Sequence, residues 1–355
     1  MAYRVAVWGT GNVGRNAIAG VDARPDLTLA GVLVSTPAKA GRDAGALAGL
    51  GRELGVAATM DEAALLAQRP DCVVYTAMAD DRIMAALGDL SRILAAGINV
   101  VSSSPVFLQF PEGEPAAALA APVRQAAVDG GASIWVNGID PGFANDWLPL
   151  TLTSISERIS QVRCLEILNY ATYNQADVLF GIMGFGRPLS EVPVLLQPGV
   201  LTMAWGSVLR QLAAGLGVEL DEISEHYQRL PAQETFEIAS GTIGAGTAAA
   251  LRFQLTGISA GRPAIVLEHV TRLRDDLGPD WPQPAGQGCY RVEVRGEPDY
   301  TLDLQLLGSD GDHNTAGLKA TAMRLVNAVP AVVAAPPGLL TALDLPLVTG
   351  RGLVT

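Results

Sequence analysis

The stretch RVAVWGTGNVGR, residues 4–15, places an apolar, strand-like run directly before a glycine-rich loop. Its glycines follow the spacing G-x-G-x-x-G, and a helix-like pattern continues after them. In a nucleotide-binding loop of this form, the first glycine permits a tight turn, the second admits a pyrophosphate, and the third allows close helix–strand packing. Free amides and the helix dipole hold the anion. The context therefore predicts a dinucleotide site rather than an ordinary turn, with these residues in contact with the cofactor: Gly9, Thr10, Gly11, Asn12, Val13 and Gly14.

Short apolar runs alternate with Ala- and Leu-rich segments over about the first 145 residues. Several runs are almost continuously apolar, which is typical of strands covered on both faces. Strand–helix alternation of this kind indicates βαβ units. The predicted fold class is α/β, with an N-terminal Rossmann domain built on a doubly wound parallel sheet. Strands are predicted at 3–8, 27–35, 71–77, 98–104 and 132–138, and helices at 61–67, 82–96 and 115–129.

After about residue 150 the strands become longer and partly alternate apolar with polar residues. This pattern predicts an α+β domain with a mixed or antiparallel open sheet. From Thr315, a plausible N-cap, a helical pattern resumes that Pro330 would kink or end. We predict a dinucleotide-binding domain of residues 1–147 and 315–355, and a substrate and dimerisation domain of residues 148–314. Its strands are predicted at 161–173, 247–259, 264–273, 289–298 and 300–308, and its helices near 200–216 and 221–226.

Composition narrows the function classes. The chain has 355 residues and a net charge of −12, with no Lys/Arg-rich run, so nucleic acid is not an expected partner. Three cysteines lie far apart and match no disulfide or metal spacing. There is no long apolar segment and no secretory signal pattern. We therefore expect a cytoplasmic protein that acts on a small molecule, without membrane or metal.

The segment after the second predicted strand reads VLVSTPAKAGRD, residues 32–43. An NAD-specific fold usually places an acid here to bind the ribose 2′-hydroxyl. This chain instead offers two hydroxyls and two cations before its first acid, which would suit a 2′-phosphate. The sequence predicts NADP(H), with NAD(H) as the other candidate, and the alternative is a solvated loop without contacts. The residues expected at the phosphate are Ser35, Thr36, Lys39 and Arg42.

Ligands of open α/β sheets bind beyond the carboxyl ends of the strands. The loops TAMAD (76–80), SSSP (102–105) and NGIDPGFANDW (137–147) follow predicted strands, so we expect them to face the nicotinamide. Asp140 is a candidate catalytic residue, with a plain turn as the alternative. Asn145 is a candidate substrate contact that could also open the next helix. The expected cofactor contacts here are Ala77, Met78, Ser102, Ser103 and Pro141.

Two further segments carry candidate site residues. Tyr170, Tyr173 and Asn174 lie in the segment 168–188, and a tyrosine beside a nicotinamide can orient or protonate a carbonyl. His269 lies in the strand-like segment VLEHVTRL, residues 266–273. The alternatives are a core tyrosine and a hydrogen-bonded strand histidine. We therefore nominate Tyr173, His269 and Asp140 as catalytic, and Tyr170, Asn174, Asn145 and Phe107 as substrate contacts.

Four segments together resemble a known family: VAVWGTGNVGR (5–15), NGIDPGF (137–143), LEHVTRL (267–273) and the long run 313–338. They are similar to oxidoreductases with a dihydrodipicolinate-reductase-like N-terminal domain, and more narrowly to the group of 2,4-diaminopentanoate dehydrogenase and the native amine dehydrogenases. The resemblance implies a Rossmann domain, an α+β substrate domain, a homodimer and NAD(P)H-dependent reductive amination of a ketone.

One segment departs from that family. Its members carry a glutamate shortly after the strand equivalent to residues 98–104, followed by an aromatic–proline pair. Taking Phe110–Pro111 as that pair places Val106 or Phe107 where the acid is expected. Either Tyr173, His269 or Asp140 substitutes for the acid, or the reaction differs. The alternatives are a ketone, alcohol or preformed-imine reductase and a non-catalytic NADP-binding sensor. The leading interpretation is an NADP(H)-dependent enzyme that acts on a C=N or C=O carbon of a small, fairly apolar molecule.

Overall fold

The computed structural model describes residues 2–79 and 81–354. The chain divides into two compact units, Met1–Ile139 with Leu318–Thr355, and Asp140–Gly317. The turn that begins at Asp140 belongs to the second unit because its side chains bond there, whereas the sequence-based division places it in the first. No helix in the described ranges is long and apolar enough to cross a membrane.

The first part of the chain alternates strands and helices, as predicted. Its strands are β1 (Tyr3–Trp8), β2 (Leu27–Leu33), β3 (Cys72–Tyr75), β4 (Asn99–Ser102) and β5 (Ser133–Val136). Its helices are α1 (Asn12–Asp22), α2 (Ala44–Ala48), α3 (Glu62–Ala67), α4 (Ile83–Ala95) and α5 (Ala116–Gly130). Short 3₁₀ turns lie at Pro37–Lys39 and Val106–Gln109. Each predicted strand is present; β1 has the predicted bounds and the other four are shorter, mainly because residues at their carboxyl ends leave the ladder.

The second unit contains one long helix, one short helix and a series of strands. They are α6 (Trp147–Thr153), β6 (Arg158–Asn169), α7 (Val200–Leu216), β7 (Glu222–Pro231), β8 (Phe236–Ile238), β9 (Gly241–Ile243), β10 (Ala248–Ser259), β11 (Arg262–Arg272), β12 (Gly288–Glu297) and β13 (Tyr300–Leu304). A 3₁₀ turn lies at Val194–Leu196. The chain then forms α8 (His313–Ala334) and β14 (Gly338–Leu340).

Two local predictions are wrong, and a third keeps only one of its two alternatives. The helix predicted at 221–226 is part of strand β7, because that segment pairs antiparallel with β10 along its length. Thr315 is not the N-cap of α8, since the helix begins at His313 and the Asp312 carboxylate accepts the Thr315 amide. Pro330 does not end α8, which continues to Ala334.

The two large sheets have the predicted characters. The first is wholly parallel, with strand order β14-β5-β4-β3-β1-β2, which confirms the doubly wound Rossmann fold. The second has the order β13-β12-β6-β11-β10-β7 and is mixed, because β6 and β11 run parallel while its other pairs are antiparallel. Each unit has its own apolar core.

Candidate active site

The glycine loop between β1 and α1 has the geometry that its sequence predicts. Gly9 has a φ of +101°, which favours glycine. A Cβ on Gly14 would lie 2.1 Å from the Gly9 carbonyl oxygen, so only glycine lets α1 pack this closely. A Cβ on Gly11 would meet nothing within 4 Å, so this backbone borders open space. No side chain of the described residues caps α1, which leaves its first amides available to an anion.

A cavity of about 420 Å³ opens beside this loop, within the first unit. Lys39 and Arg42 line it as the sequence predicts, and Arg15 is a third cation that the sequence analysis missed. The Lys39 ammonium donates to the Thr10 carbonyl at 3.1 Å and to the Thr10 hydroxyl oxygen at 3.2 Å. Since the lining, as far as the described residues go, holds three cations and no acid, it fits a phosphate-rich nucleotide.

The remaining predicted contacts of the loop region are distributed around it. Asn12 and Val13 form the half-buried first turn of α1, and Asn12 also accepts a 2.8 Å hydrogen bond from Arg15. Ser35 and Thr36 are exposed after β2 and lie outside the lining of the cavity. Of the four residues predicted at the phosphate, Lys39 and Arg42 therefore line the cavity, and Ser35 and Thr36 do not.

The ends of β3 and β4 meet through backbone and hydroxyl bonds. Ala77 lies beside the glycine loop, since a Cβ on Gly9 would be 3.0 Å from its amide nitrogen. Met78 is exposed, and Asp80 of the same predicted loop lies outside the described residues. The buried Ser102 hydroxyl and the Ser103 amide both donate to the Tyr75 carbonyl, at 3.2 Å and 3.1 Å. Ser102 is thus held by the sheet itself.

The segment that lacks the family glutamate offers no other acid in its place. Phe107 is only 2% exposed and lies in the 3₁₀ turn Val106–Gln109. Glu112 is exposed and forms an ion pair with Arg124 at 2.9 Å, and Glu114 is also exposed. Titratable groups for the chemistry therefore have to come from other segments.

The second unit supplies such groups around His269. Its Nε2 lies 3.3 Å from Asp140 Oδ1, and its Nδ1 lies 3.4 Å from Glu166 Oε1. All three side chains are at least nine-tenths buried. We call Asp140, His269 and Glu166 the carboxylate–histidine cluster.

Sheet register explains why these groups meet. Phe253 on β10, His269 on β11, Glu166 on β6 and Tyr290 on β12 are consecutive partners across the sheet, so their side chains share one face. The Phe253 ring stacks on the imidazole at 4.6 Å. Trp205 from α7 meets the imidazole edge-on at 4.8 Å. The cluster therefore lies in an aromatic setting.

Each carboxyl group has its own hydrogen-bond donors. Asp140 Oδ1 accepts from Asn145 Nδ2 at 2.7 Å and from Trp205 Nε1 at 3.0 Å. Asn145 therefore serves Asp140 and does not open α6, whose N-cap is Asp146. Glu166 Oε1 accepts from the Tyr170 hydroxyl at 2.7 Å.

Electrostatics set the charge of the cluster. Burial alone would lower the pKa of His269, but the carboxylates of Asp140 and Glu166 reverse this and raise the pKa to about 10. Burial and the nearby Glu166 hold the pKa of Tyr170 well above its usual range, so this hydroxyl keeps its proton. The imidazole of His269 therefore stays protonated near pH 7, between the two carboxyl groups.

The same three residues offer ligand atoms within 4.8 Å of one another, a spacing that could hold a metal ion. The sequence showed no metal spacing because the residues come from distant segments. Both ring nitrogens of His269 face carboxylate oxygens, an arrangement that also suits an ion-pair cluster.

The structure thus brings several nominated residues into one unit and separates others from them. Asp140, His269, Asn145 and Tyr170 belong to the cluster or bond to it, and the Tyr173 ring lies 4.9 Å from that of Tyr170. Pro141 follows Asp140 in the same turn, whereas Asn174 is exposed. Sequence analysis missed Glu166, Trp205, Phe253 and Tyr290, and the only signal for Glu166 was an acid inside an apolar strand.

Comparisons with known proteins agree with this architecture. Residues 143–352 match the family described as the 2,4-diaminopentanoate dehydrogenase C-terminal domain, and residues 3–92 match the dihydrodipicolinate reductase N-terminus. An amine dehydrogenase of Streptomyces virginiae is 45% identical over 96% of this chain and 95% of its own.

Solved structures show the same fold. The amine dehydrogenase from Mycobacterium smegmatis superposes with a TM-score of 0.78 at 24% identity, covering 99% of this chain and 98% of its own. GenD2 from gentamicin A biosynthesis, in complex with NAD, gives a TM-score of 0.56 at 16% identity, over 92% of this chain and 86% of its own.

Proposed function

This chain belongs to the 2,4-diaminopentanoate dehydrogenase and amine dehydrogenase family of NAD(P)-dependent oxidoreductases, and we propose that it catalyses the NADP(H)-dependent reductive amination of a small, fairly apolar ketone or aldehyde. Because the family is one of enzymes, the alternative of a non-catalytic sensor loses its support.

The observation that carries this proposal is the buried pair of carboxyl groups that flank His269 in the carboxylate–histidine cluster. Ammonium, iminium and protonated amine are cations, and a desolvated carboxylate pair stabilises them. A carbonyl–alcohol reaction instead develops negative charge on oxygen, which two carboxylates would oppose.

Cofactor preference follows from the cavity beside the glycine loop. The amides of residues 9–14 would hold the diphosphate, and Lys39, Arg42 and Arg15 would hold a 2′-phosphate. The bound nicotinamide supplies the hydride. The cations favour NADP(H) over NAD(H), because only NADP(H) carries the additional phosphate.

The side chains around the cluster support an apolar substrate. Phe253, Trp205, Tyr170 and Tyr173 surround it with rings. We propose that Tyr173 orients the substrate from this aromatic wall, while His269 and Asp140 hold the charge that attracts its nitrogen. A dicarboxylate substrate would need cations that this part of the second unit does not place at the cluster among its described residues.

The test is NADPH oxidation with a panel of small ketones, with and without ammonium. Consumption that depends on ammonium and yields the amine supports the proposal, whereas equal consumption in both conditions favours a carbonyl reductase. Calorimetric titration with both cofactors tests the preference, and tighter NADH than NADPH binding would contradict it.

The homodimer implied by the family resemblance is also a proposal. Sedimentation equilibrium of the purified chain should give the mass of two copies, and a single-chain mass at micromolar concentration would contradict it.

A further inference from the structure

We infer that Glu166 is the group that exchanges protons with the substrate nitrogen, and that Tyr170 and His269 position it for this exchange. The inference rests on the proposed amination and names the atom of the cluster that performs its acid–base steps. Asp140 then acts as a positioning residue that holds the imidazolium.

The donor sets of the two carboxyl groups separate their roles. Asp140 Oδ1 accepts three donors, from Asn145, Trp205 and His269. Donors to the ionised form weaken a carboxylate as a base. Two of these three donors, an amide and an indole, are not acids or bases in the ordinary pH range. Asp140 is therefore suited to anchoring the imidazolium.

Glu166 has fewer and more labile donors. Its Oε1 accepts only the Tyr170 hydroxyl and His269 Nδ1, and within the described ranges its Oε2 makes no hydrogen bond. The residue is only 5% exposed, and this unpaired oxygen keeps some accessible surface. An ammonium or iminium N–H would give it a charge-assisted hydrogen bond.

A second acceptor near Glu166 also lacks a donor. His313 is 6% exposed and its Nδ1 lies 3.1 Å from the Leu306 carbonyl oxygen, so Nδ1 carries the proton and Nε2 is an acceptor. In the described chain, that buried Nε2 has no hydrogen-bond partner. His313 lies against Tyr290, the neighbour of Glu166 in the sheet, with ring centroids 5.7 Å apart. Two unsatisfied acceptors on this side of the cluster fit a ligand rich in N–H donors.

The acid–base steps then balance around one carboxyl group. Ammonium gives a proton to the Glu166 carboxylate, so that an N–H bond breaks and an O–H bond forms. The ammonia released adds to the carbonyl carbon and, after proton transfer from nitrogen to oxygen, gives a neutral carbinolamine. Glu166 returns its proton to the hydroxyl of that carbinolamine as the C–O bond breaks. Water and an iminium result, and Glu166 is again ionised.

Several other titratable side chains lie around Glu166. Tyr170 lies just beyond β6, His269 on β11, Tyr290 on β12 and His313 at the start of α8, and Asp140 lies across the imidazole. Burial, and next the charge of Glu166, keep the pKa of Tyr290 well above its usual range, as they do for Tyr170. Burial lowers the pKa of His313, so this ring stays neutral near pH 7. These three groups therefore keep their protonation states near pH 7.

The experiment compares Glu166→Gln with the wild type and with Glu222→Gln, a matched control at an exposed carboxylate on β7. Ammonium-dependent NADPH oxidation is measured with one ketone from pH 6 to 10. We expect kcat of Glu166→Gln to fall by roughly 100-fold or more, with an unchanged Kd for NADPH. Glu222→Gln should behave as the wild type. A Glu166→Gln enzyme within about 10-fold of the wild-type kcat would overturn the inference.

A second variant keeps the test decisive if Glu166→Gln does not fold, as judged by circular dichroism. Tyr170→Phe removes one donor that positions the Glu166 carboxylate, so kcat should fall while the KM for the ketone and the Kd for NADPH stay unchanged. A wild-type kcat in Tyr170→Phe overturns the inference. If the wild type shows no ammonium-dependent oxidation, the proposed function fails and takes this inference with it, whereas an active wild type with an active Glu166→Gln refutes the inference alone.

Discussion

The glycine loop allows one substitution to test packing and another to test binding. In Gly14→Ala, the new methyl would lie 2.1 Å from the Gly9 carbonyl oxygen and 2.7 Å from Thr76 Oγ1. In the matched variant Gly11→Ala, the methyl would meet nothing within 4 Å. The backbone of Gly11, with φ −72° and ψ −163°, is one that alanine readily adopts.

The contact distances give the expected magnitudes. Overpacking costs about 1–3 kcal/mol, and the upper end applies to Gly14→Ala because a backbone oxygen cannot rotate away. Alanine returns about 1 kcal/mol through its helix propensity, which leaves a net loss of about 2 kcal/mol. For a unit of this size, that lowers Tm by about 4–8 °C. Gly11→Ala should cost less than about 1 kcal/mol as an N-cap change.

For NADPH binding, Gly11→Ala should be the more damaging of the two variants. The methyl of Gly11→Ala would occupy the space through which a diphosphate reaches the loop amides, so NADPH affinity should fall by roughly 10-fold or more, about 1.4 kcal/mol. Thermal unfolding and calorimetric titration on both variants measure the two effects. Wild-type NADPH affinity in Gly11→Ala, or a wild-type Tm in Gly14→Ala, would refute the roles assigned to these glycines.

Three further perturbations address the cofactor cavity, the second sheet and the cluster. Lys39→Ala should weaken NADPH binding by roughly 10-fold, the contribution of one charge-assisted hydrogen bond, and leave NADH binding nearly unchanged. Equal losses of affinity for both cofactors in calorimetric titrations would contradict a 2′-phosphate contact. Glu268→Ala should lower the unfolding free energy by about 2–3 kcal/mol in urea melts, because the fully buried carboxylate forms ion pairs with Arg163 at 2.6 Å and Arg252 at 2.8 Å. A loss below about 0.5 kcal/mol would show that neither ion pair contributes. The pKa of His269 is raised from 6.5 to about 10, so its protonation contributes stability fully below pH 6.5, which is lost as the pH rises towards 10. Denaturant melts at several pH values should show this loss in the wild type and not in His269→Phe. The same dependence of the unfolding free energy on pH in both proteins would count against a protonated imidazole.

Part of the candidate site follows from residues adjacent in the chain. The cofactor loop was predictable because its three glycine roles depend on the local strand–turn–helix backbone. Asp140 and His269 were nominated from a turn and a strand, each with a plain structural alternative. The residue types carried the suggestion in both cases, and the partners that give them chemistry were not visible.

Glu166 shows why those partners escaped. It is an acid in an apolar strand, and its chemical role depends on the strand register that sets it beside His269 on one side and Tyr290 on the other. Such pairing joins segments far apart in the chain, and no local pattern records it. The same limit produced the wrong helix at 221–226, where pairing with β10 decides for a strand.

The amino-acid sequence by itself determined the Rossmann loop, the positions of most strands along the chain and the change from a parallel to a mixed sheet. These features were predictable because glycine spacing and hydrophobic periodicity act over neighbouring residues. Only the tertiary structure decided that Asp140, His269 and Glu166 form one buried cluster and that Arg15 joins Lys39 and Arg42 at the cavity. The physical reason is that charge and pKa depend on burial and on distances between side chains, which strand register and the packing of helices set.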